Sequence, residues 1–126
     1  MATHETLLAF RKSYELGLAV LRSTESWPKR EMFGLASQAR RASTSVSINI
    51  AEGVAKRGRN ELRRYLDIAL GSLAETQVLI SFAQDMGFIS VPEAAALEER
   101  RAEAGRLVWG LYVATVKGKG RPLSPR

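Results

Sequence analysis

The stretch Ser37–Glu75, SQARRASTSVSINIAEGVAKRGRNELRRYLDIALGSLAE, decides how this chain folds. Apolar residues recur in it at helical spacing, but small, polar and charged residues interrupt them throughout. A polar group among apolar ones must be paired or must serve a function, because burying it unpaired costs free energy. The stretch therefore predicts two long packed helices that meet through polar side chains and are joined by the basic turn Lys56–Arg59.

One part of this stretch gives a conflicting local signal. From Ala42 to Ile50, small or apolar residues alternate with polar ones, which is a strand pattern. We favour a helix because helical periodicity flanks the segment on both sides and no partner strand is apparent. Gly53 or Gly58 is the expected C-terminal stop of this helix.

Two further helices are predicted on either side of the stretch. Apolar residues spaced three and four apart precede Trp27-Pro28 and recur after Pro92. The expected helices cover about residues 5–25, 29–56, 60–86 with Asn60 as N-cap, and 91–116. Short connections predict an all-α fold, an antiparallel up-down-up-down four-helix bundle, as one domain over residues 1–116. Residues 117–126, KGKGRPLSPR, are expected to form a disordered basic C-terminal tail.

Composition narrows the possible functions. The chain has 126 residues, 45% of them hydrophobic and 25% charged, which suits one globular domain. Because it contains no cysteine and one histidine, His4, we expect no metal site and no cofactor. No signal peptide or membrane span is apparent, so we expect a cytoplasmic protein without a membrane partner.

Basic residues are concentrated in part of the chain, whose net charge is +6. Between Arg40 and Arg64 there are seven basic and two acidic residues. This concentration suits a polyanion such as RNA or DNA, although a solvated basic face is the alternative. The candidate nucleic-acid-binding residues are Arg40, Lys56, Arg57, Arg59, Arg63 and Arg64.

The interrupting polar residues predict a structural network between the second and third helices. In a hairpin folded near Gly58, residues whose numbers sum to about 116 lie level. The expected pairs are Arg41 with Glu75, Glu52 with Arg64, Ser45 with Ser72 and Asn49 with Asp67. Gly71 and Ser72 are expected to let the two backbones approach closely.

Catalysis is the alternative reading of these polar residues. A di-iron bundle needs about four inward Glu and two His in Glu-x-x-His spacing, which the chain lacks. Ser43, Ser45 and Ser47 have no neighbouring His, and Gly53 and Gly58 do not form a phosphate loop. We therefore expect no enzyme activity, no catalytic residue and no small-molecule substrate.

The third and fourth helices are apolar over more than one stripe. A helix in a lone bundle needs one buried face. The surplus aromatic residues Tyr65, Phe82, Trp109 and Tyr112 favour a second buried surface between subunits. The alternative is that these large side chains widen the core within one subunit.

Four motifs, in this order and spacing, carry a family resemblance: SQARRA (Ser37–Ala42), NIAEG (Asn49–Gly53), Glu61 after the basic turn, and IALGSLAE (Ile68–Glu75). Together they resemble the 23S rRNA intervening-sequence proteins, a family that includes relatives of the accessory variability protein of diversity-generating retroelements. The resemblance implies an antiparallel four-helix bundle and a ring-like homo-oligomer, with a pentamer favoured. For the retroelement relatives it also implies a positive ring that binds nucleic acid and a reverse transcriptase.

Two functions follow as expectations. In the first, the protein is a non-enzymatic oligomeric bundle that binds RNA or DNA through a basic collar at the hairpin end. In the second, it is a homo-oligomeric scaffold for a protein partner and has no nucleic-acid role, so that its charge serves solubility.

Overall fold

A computed structural model describes residues 3–117, and over these residues the chain is helical with no strand. The four α-helices are α1 (His4–Thr24), α2 (Leu35–Ala55), α3 (Arg59–Asp85) and α4 (Val91–Lys117), and a short 3-10 helix (Lys29–Glu31) precedes α2. Each α-helix packs against two others, in the cyclic order α1, α2, α3, α4. The predicted all-α four-helix bundle is confirmed. Lys117 ends α4, and the rest of the predicted tail lies outside the described residues.

Side chains cap the N-termini of α1 and α4. The Thr3 hydroxyl accepts the N–H of Thr6 at 3.1 Å at the start of α1. At α4, Ser90 and Glu93 form a capping box: the Glu93 N–H donates to Ser90 Oγ at 3.2 Å, and the Ser90 N–H donates to Glu93 Oε1 at 3.1 Å. These contacts satisfy backbone donors that a helix start leaves unpaired.

The first residues of α2 and α3 differ from those predicted. The expected start of the second helix near residue 29 is wrong, because α2 begins at Leu35, whose N–H donates to Glu31 Oε1 at 3.1 Å. The expected N-cap Asn60 is also wrong, since α3 begins one residue earlier and Gly58 precedes it without a side-chain cap. A turn of three residues, Lys56–Gly58, therefore joins α2 to α3.

Small residues let α2 approach its neighbours closely. A Cβ atom added at Gly53 would lie 2.9 Å from Tyr65 Cβ and 3.1 Å from Leu62 Cδ1, both on α3. One added at Gly17 of α1 would lie 3.4 Å from the Ser43 carbonyl oxygen. The close approach expected at Gly71 is wrong, because no atom lies within 4 Å of its Cβ position. Of the two glycines predicted as alternative stops of this helix, Gly53 is buried two residues before α2 ends, and Gly58 lies beyond the end and precedes α3.

The core consists of aliphatic side chains and many alanines. Its largest fully buried apolar members are Leu16, Val20, Val46, Ile50, Leu66 and Val108. Among residues 3–117, α3 has the length and apolar content of a helix that could cross a membrane, which a buried core helix also has. The Ser13 hydroxyl is fully buried and, within this range, is the one buried side-chain polar atom without a hydrogen-bond partner.

Candidate nucleic-acid interface

The basic turn lies at one end of the bundle, between α2 and α3. Lys56 caps α2, and Arg57 follows in the left-handed backbone region with φ of 56°. A residue other than glycine costs about 1 kcal/mol in that conformation. Lys56 and Arg57 are both exposed, so this tight turn holds two cations in solvent at the end of the bundle.

The first two turns of α3 add three arginines to the same end. Arg64 lies over the Tyr65 ring, 4.8 Å from its centroid, and pairs with Glu61 at 3.7 Å. Arg59 and Arg63 are half-buried and four residues apart, so they share one side of α3. We call the five cations at this end the collar: Lys56, Arg57, Arg59, Arg63 and Arg64. Over the described part of the chain, no carboxylate pairs with Lys56, Arg57 or Arg63.

Arg40, predicted to bind nucleic acid, does not belong to the collar. It precedes Lys56 by sixteen residues on α2, which separates the two by roughly 24 Å along the helix. Its Nε donates to Thr24 Oγ1 at 2.8 Å, at the C-terminal end of α1. Arg41, predicted to turn inward, is exposed instead. The expected orientations of this pair are therefore reversed, because the Thr24 hydroxyl of the adjacent helix is within reach of Arg40.

Part of the predicted polar network joins α2 to α3. Ser72 Oγ donates to Ser45 Oγ at 2.9 Å, and Asn49 Nδ2 lies 2.8 Å from both the Ser45 hydroxyl and the Ser45 carbonyl oxygen. Asn49 thus contacts α2 itself and not Asp67, which is exposed. These buried or half-buried groups tie the two helices together near the middle of α2.

The two predicted salt bridges of the network are not formed. Within residues 3–117, no ion pair joins Arg41 to Glu75, and Arg64 pairs with Glu61 on its own helix and not with Glu52. Glu52 and Glu75 are exposed. Exposed ion pairs gain little over hydration, so level positions on two helices do not ensure contact.

A cavity of about 600 Å³ opens at the collar end between the termini of all four helices. Its apolar lining includes Leu8, Val54, Leu62, Leu107 and Leu111, and its charged lining residues are Glu5, Arg59 and Arg106. Sequence reasoning missed this cavity, because its volume depends on how far the helix ends diverge. Apolar residues near the ends of predicted helices do not indicate whether a cavity forms between them.

A second concavity of about 440 Å³ follows the outer groove between α3 and α4. Its walls include Leu70, Leu73, Ala74 and Gln77 of α3, and Arg101, Ala102, Gly105, Arg106 and Trp109 of α4. Arg101 donates two hydrogen bonds to Glu98, at 2.8 and 2.6 Å, and these raise the pKa of Arg101 above its ordinary value. Arg106 borders both concavities, so the groove continues to the collar end.

The described residues contain no group of three or more His, Cys, Asp or Glu side chains that could hold a metal ion. The family model of the 23S rRNA-intervening sequence protein matches residues 5–110, which cover most of the bundle. The chain belongs to this family. The resemblance predicted from the four motifs is thereby confirmed at the level of the 23S rRNA-intervening sequence proteins, and the relation to retroelement proteins stays a prediction.

A solved structure shares the fold of this 23S rRNA-intervening sequence protein. It is the crystal structure of a protein of unknown function from the S23 ribosomal protein family of Bacteroides thetaiotaomicron. The TM-score is 0.80 at 19% sequence identity, over 86% of this chain and 98% of that one. At this identity the likeness shows the fold and carries no functional conclusion. No curated protein matches the chain.

Proposed function

We propose that this protein is a non-enzymatic, homo-oligomeric four-helix bundle that binds RNA or DNA through the collar. One observation carries the proposal: five cations lie within residues 56–64 at one end of the bundle. Lys56, Arg57 and Arg63 pair with no carboxylate in the described range. Unneutralised cations held together by a tight turn favour phosphate groups, and an arginine fork binds them in a planar, bidentate way.

Homo-oligomerisation is supported by exposed apolar side chains on the outer side of α3. Ile68, Val78, Phe82 and Met86 are each about half exposed and lie within one sector of the helix. Apolar side chains grouped on one side of an exposed helix face favour contact with another chain. Of the four aromatics that predicted a subunit surface, Tyr65 and Tyr112 are half-buried within the subunit, Phe82 belongs to this face, and Trp109 is exposed on α4. The pentameric state stays a prediction from the family resemblance.

The α3 face also favours a second function, a scaffold for another protein without a nucleic-acid role. An apolar helix face can bind an amphipathic helix of a different chain as well as a second copy. The two functions differ in what the collar does. In the scaffold, the collar cations serve solubility and their loss leaves the assembly intact.

A charge-reversal experiment separates these functions. The collar variant carries Lys56→Glu, Arg57→Glu and Arg63→Glu, and the control carries Arg11→Glu, Arg22→Glu and Arg41→Glu. Both change the net charge equally, and the control residues are exposed and do not belong to the collar. Fluorescence anisotropy with labelled RNA and DNA oligonucleotides, at about 50 and 200 mM salt, measures affinity.

We expect the collar variant to lose at least about tenfold in affinity and to show a shallower salt dependence, because each phosphate contact contributes to the slope. The control should lose much less, through net charge alone. Equal losses in both variants would assign binding to non-specific attraction. Binding by neither variant nor wild type at low salt would leave the scaffold as the function.

A further inference from the structure

Trp109 is an exposed aromatic ring that stacks on a neighbouring ring. It is 55% exposed, whereas the other tryptophan, Trp27, is 6% exposed and donates its Nε1–H to Ser23 Oγ at 3.2 Å. The Trp109 ring stacks on Tyr112, with centroids 5.7 Å apart and planes 21° apart. Tyr112 therefore supports one side of the indole while much of its surface remains open to solvent.

The open surface of Trp109 borders the α3–α4 groove. Residues with little or no side-chain bulk, Ala74, Ala102 and Gly105, line the groove beside it. Arg106 supplies positive charge on the α4 wall, whereas Arg101 and Gln77, on opposite walls, are both bonded to Glu98. The groove beside the indole therefore combines small side chains with a cation, Arg106.

The register of the two helices brings the collar to this groove. Gln77 Nε2 donates to Glu98 Oε2 at 3.4 Å, so residues of the antiparallel helices α3 and α4 whose numbers sum to about 175 lie level. Arg63 is then level with Tyr112, three residues or about 4.5 Å along the helix axis beyond Trp109. Arg63 also precedes the groove residue Leu70 by seven positions, which places both on the same side of α3.

We infer that the nucleic acid is bound as a single strand, with an unpaired base stacked on Trp109 in the α3–α4 groove. This inference rests on the proposed function, because the phosphates of the same strand contact Arg63 and Arg106. In a duplex the base faces are covered by their neighbours and cannot reach an aromatic ring. Single-strand binders combine a cationic track with such stacking platforms, and this groove has both.

The test uses the full chain and fluorescein-labelled oligo(dT) of about 15 nucleotides, compared with the same strand annealed to oligo(dA). We expect the unlabelled single strand to quench the tryptophan emission of the wild type but not that of Trp109→Ala, and the duplex to leave both unchanged. Trp109→Ala should weaken single-strand binding by about 5- to 100-fold, with duplex binding unaffected. Trp109→Phe should recover part of the affinity, since a smaller aromatic face remains.

Tyr14→Ala is the matched control, because Tyr14 is 56% exposed and also neighbours a ring, with its centroid 6.1 Å from that of Phe10, but lies on α1. It should leave both affinities unchanged. Salt-sensitive binding with no quenching and no effect of Trp109→Ala overturns the inference and leaves the collar proposal standing. Loss of binding together with a smaller particle in light scattering also overturns it, because Trp109 would then be a subunit contact. Failure of both probes, and of an oligo(U) strand of the same length, to bind at about 50 mM salt would overturn both proposals.

Discussion

Substituting alanine for Gly53 tests whether α2 and α3 pack as closely as the structure shows. The new Cβ would lie 2.9 Å from Tyr65 Cβ and 3.1 Å from Leu62 Cδ1. Leu62 can rotate its side chain, but Tyr65 Cβ is fixed to the backbone, so α3 itself must move. Overpacking of this kind costs about 1–3 kcal/mol, while alanine gains about 1 kcal/mol over glycine in helix propensity.

The overpacking and helix-propensity contributions to stability differ in sign, and the overpacking should be the larger. We expect Gly53→Ala to lower the free energy of unfolding by about 1 kcal/mol. Gly71→Ala is the matched control, since Gly71 is also inside a helix but has no atom within 4 Å of its Cβ position. It should raise the free energy of unfolding by about 0.5–1 kcal/mol, because only the propensity term remains.

Urea unfolding followed by circular dichroism, at a fixed protein concentration, measures both variants. The reasoning depends on the opposite signs of the two changes. A Gly53→Ala protein as stable as wild type, with an unchanged denaturant slope, would refute the close contact between α2 and α3. A destabilised Gly71→Ala protein would show that this exposed part of α3 is covered, for example by another subunit.

Two further substitutions test single features of the fold. Ser13→Ala removes a buried hydroxyl that has no hydrogen-bond partner, so it should raise the free energy of unfolding by about 1 kcal/mol. Ser43→Ala removes a hydroxyl that donates to a backbone carbonyl and should not stabilise the protein. Equal urea midpoints for the two variants would show that the Ser13 hydroxyl has a partner. Arg57→Gly relieves the strain of a left-handed backbone, so it should raise the free energy of unfolding by about 1 kcal/mol. The same change should lower the RNA affinity measured by anisotropy. A stabilised variant with full RNA affinity would show that Arg57 does not contribute to binding.

The position of the collar could be predicted from the sequence, whereas the roles of its neighbours could not. The collar cations are contiguous with one turn, so any hairpin places them at one end of the bundle. Arg40 and Arg41 point about 100° apart, and deciding which one turns inward requires knowing that Thr24 lies within 2.8 Å of Arg40 Nε. The groove beside Trp109 likewise requires the register of α3 and α4.

By itself, the sequence determined the four helices and their order, because apolar spacing is a local property that a single helix satisfies. The helical state of residues 42–50, whose own pattern is that of a strand, was predicted from the helical periodicity on both sides of them. Tertiary structure alone decided that Gly53 and not Gly71 is the point of close approach, and that Asn49 bonds to Ser45. These features depend on distances of a few tenths of an ångström between different helices. Such distances follow from how all four helices pack together, and no local pattern of residues encodes them.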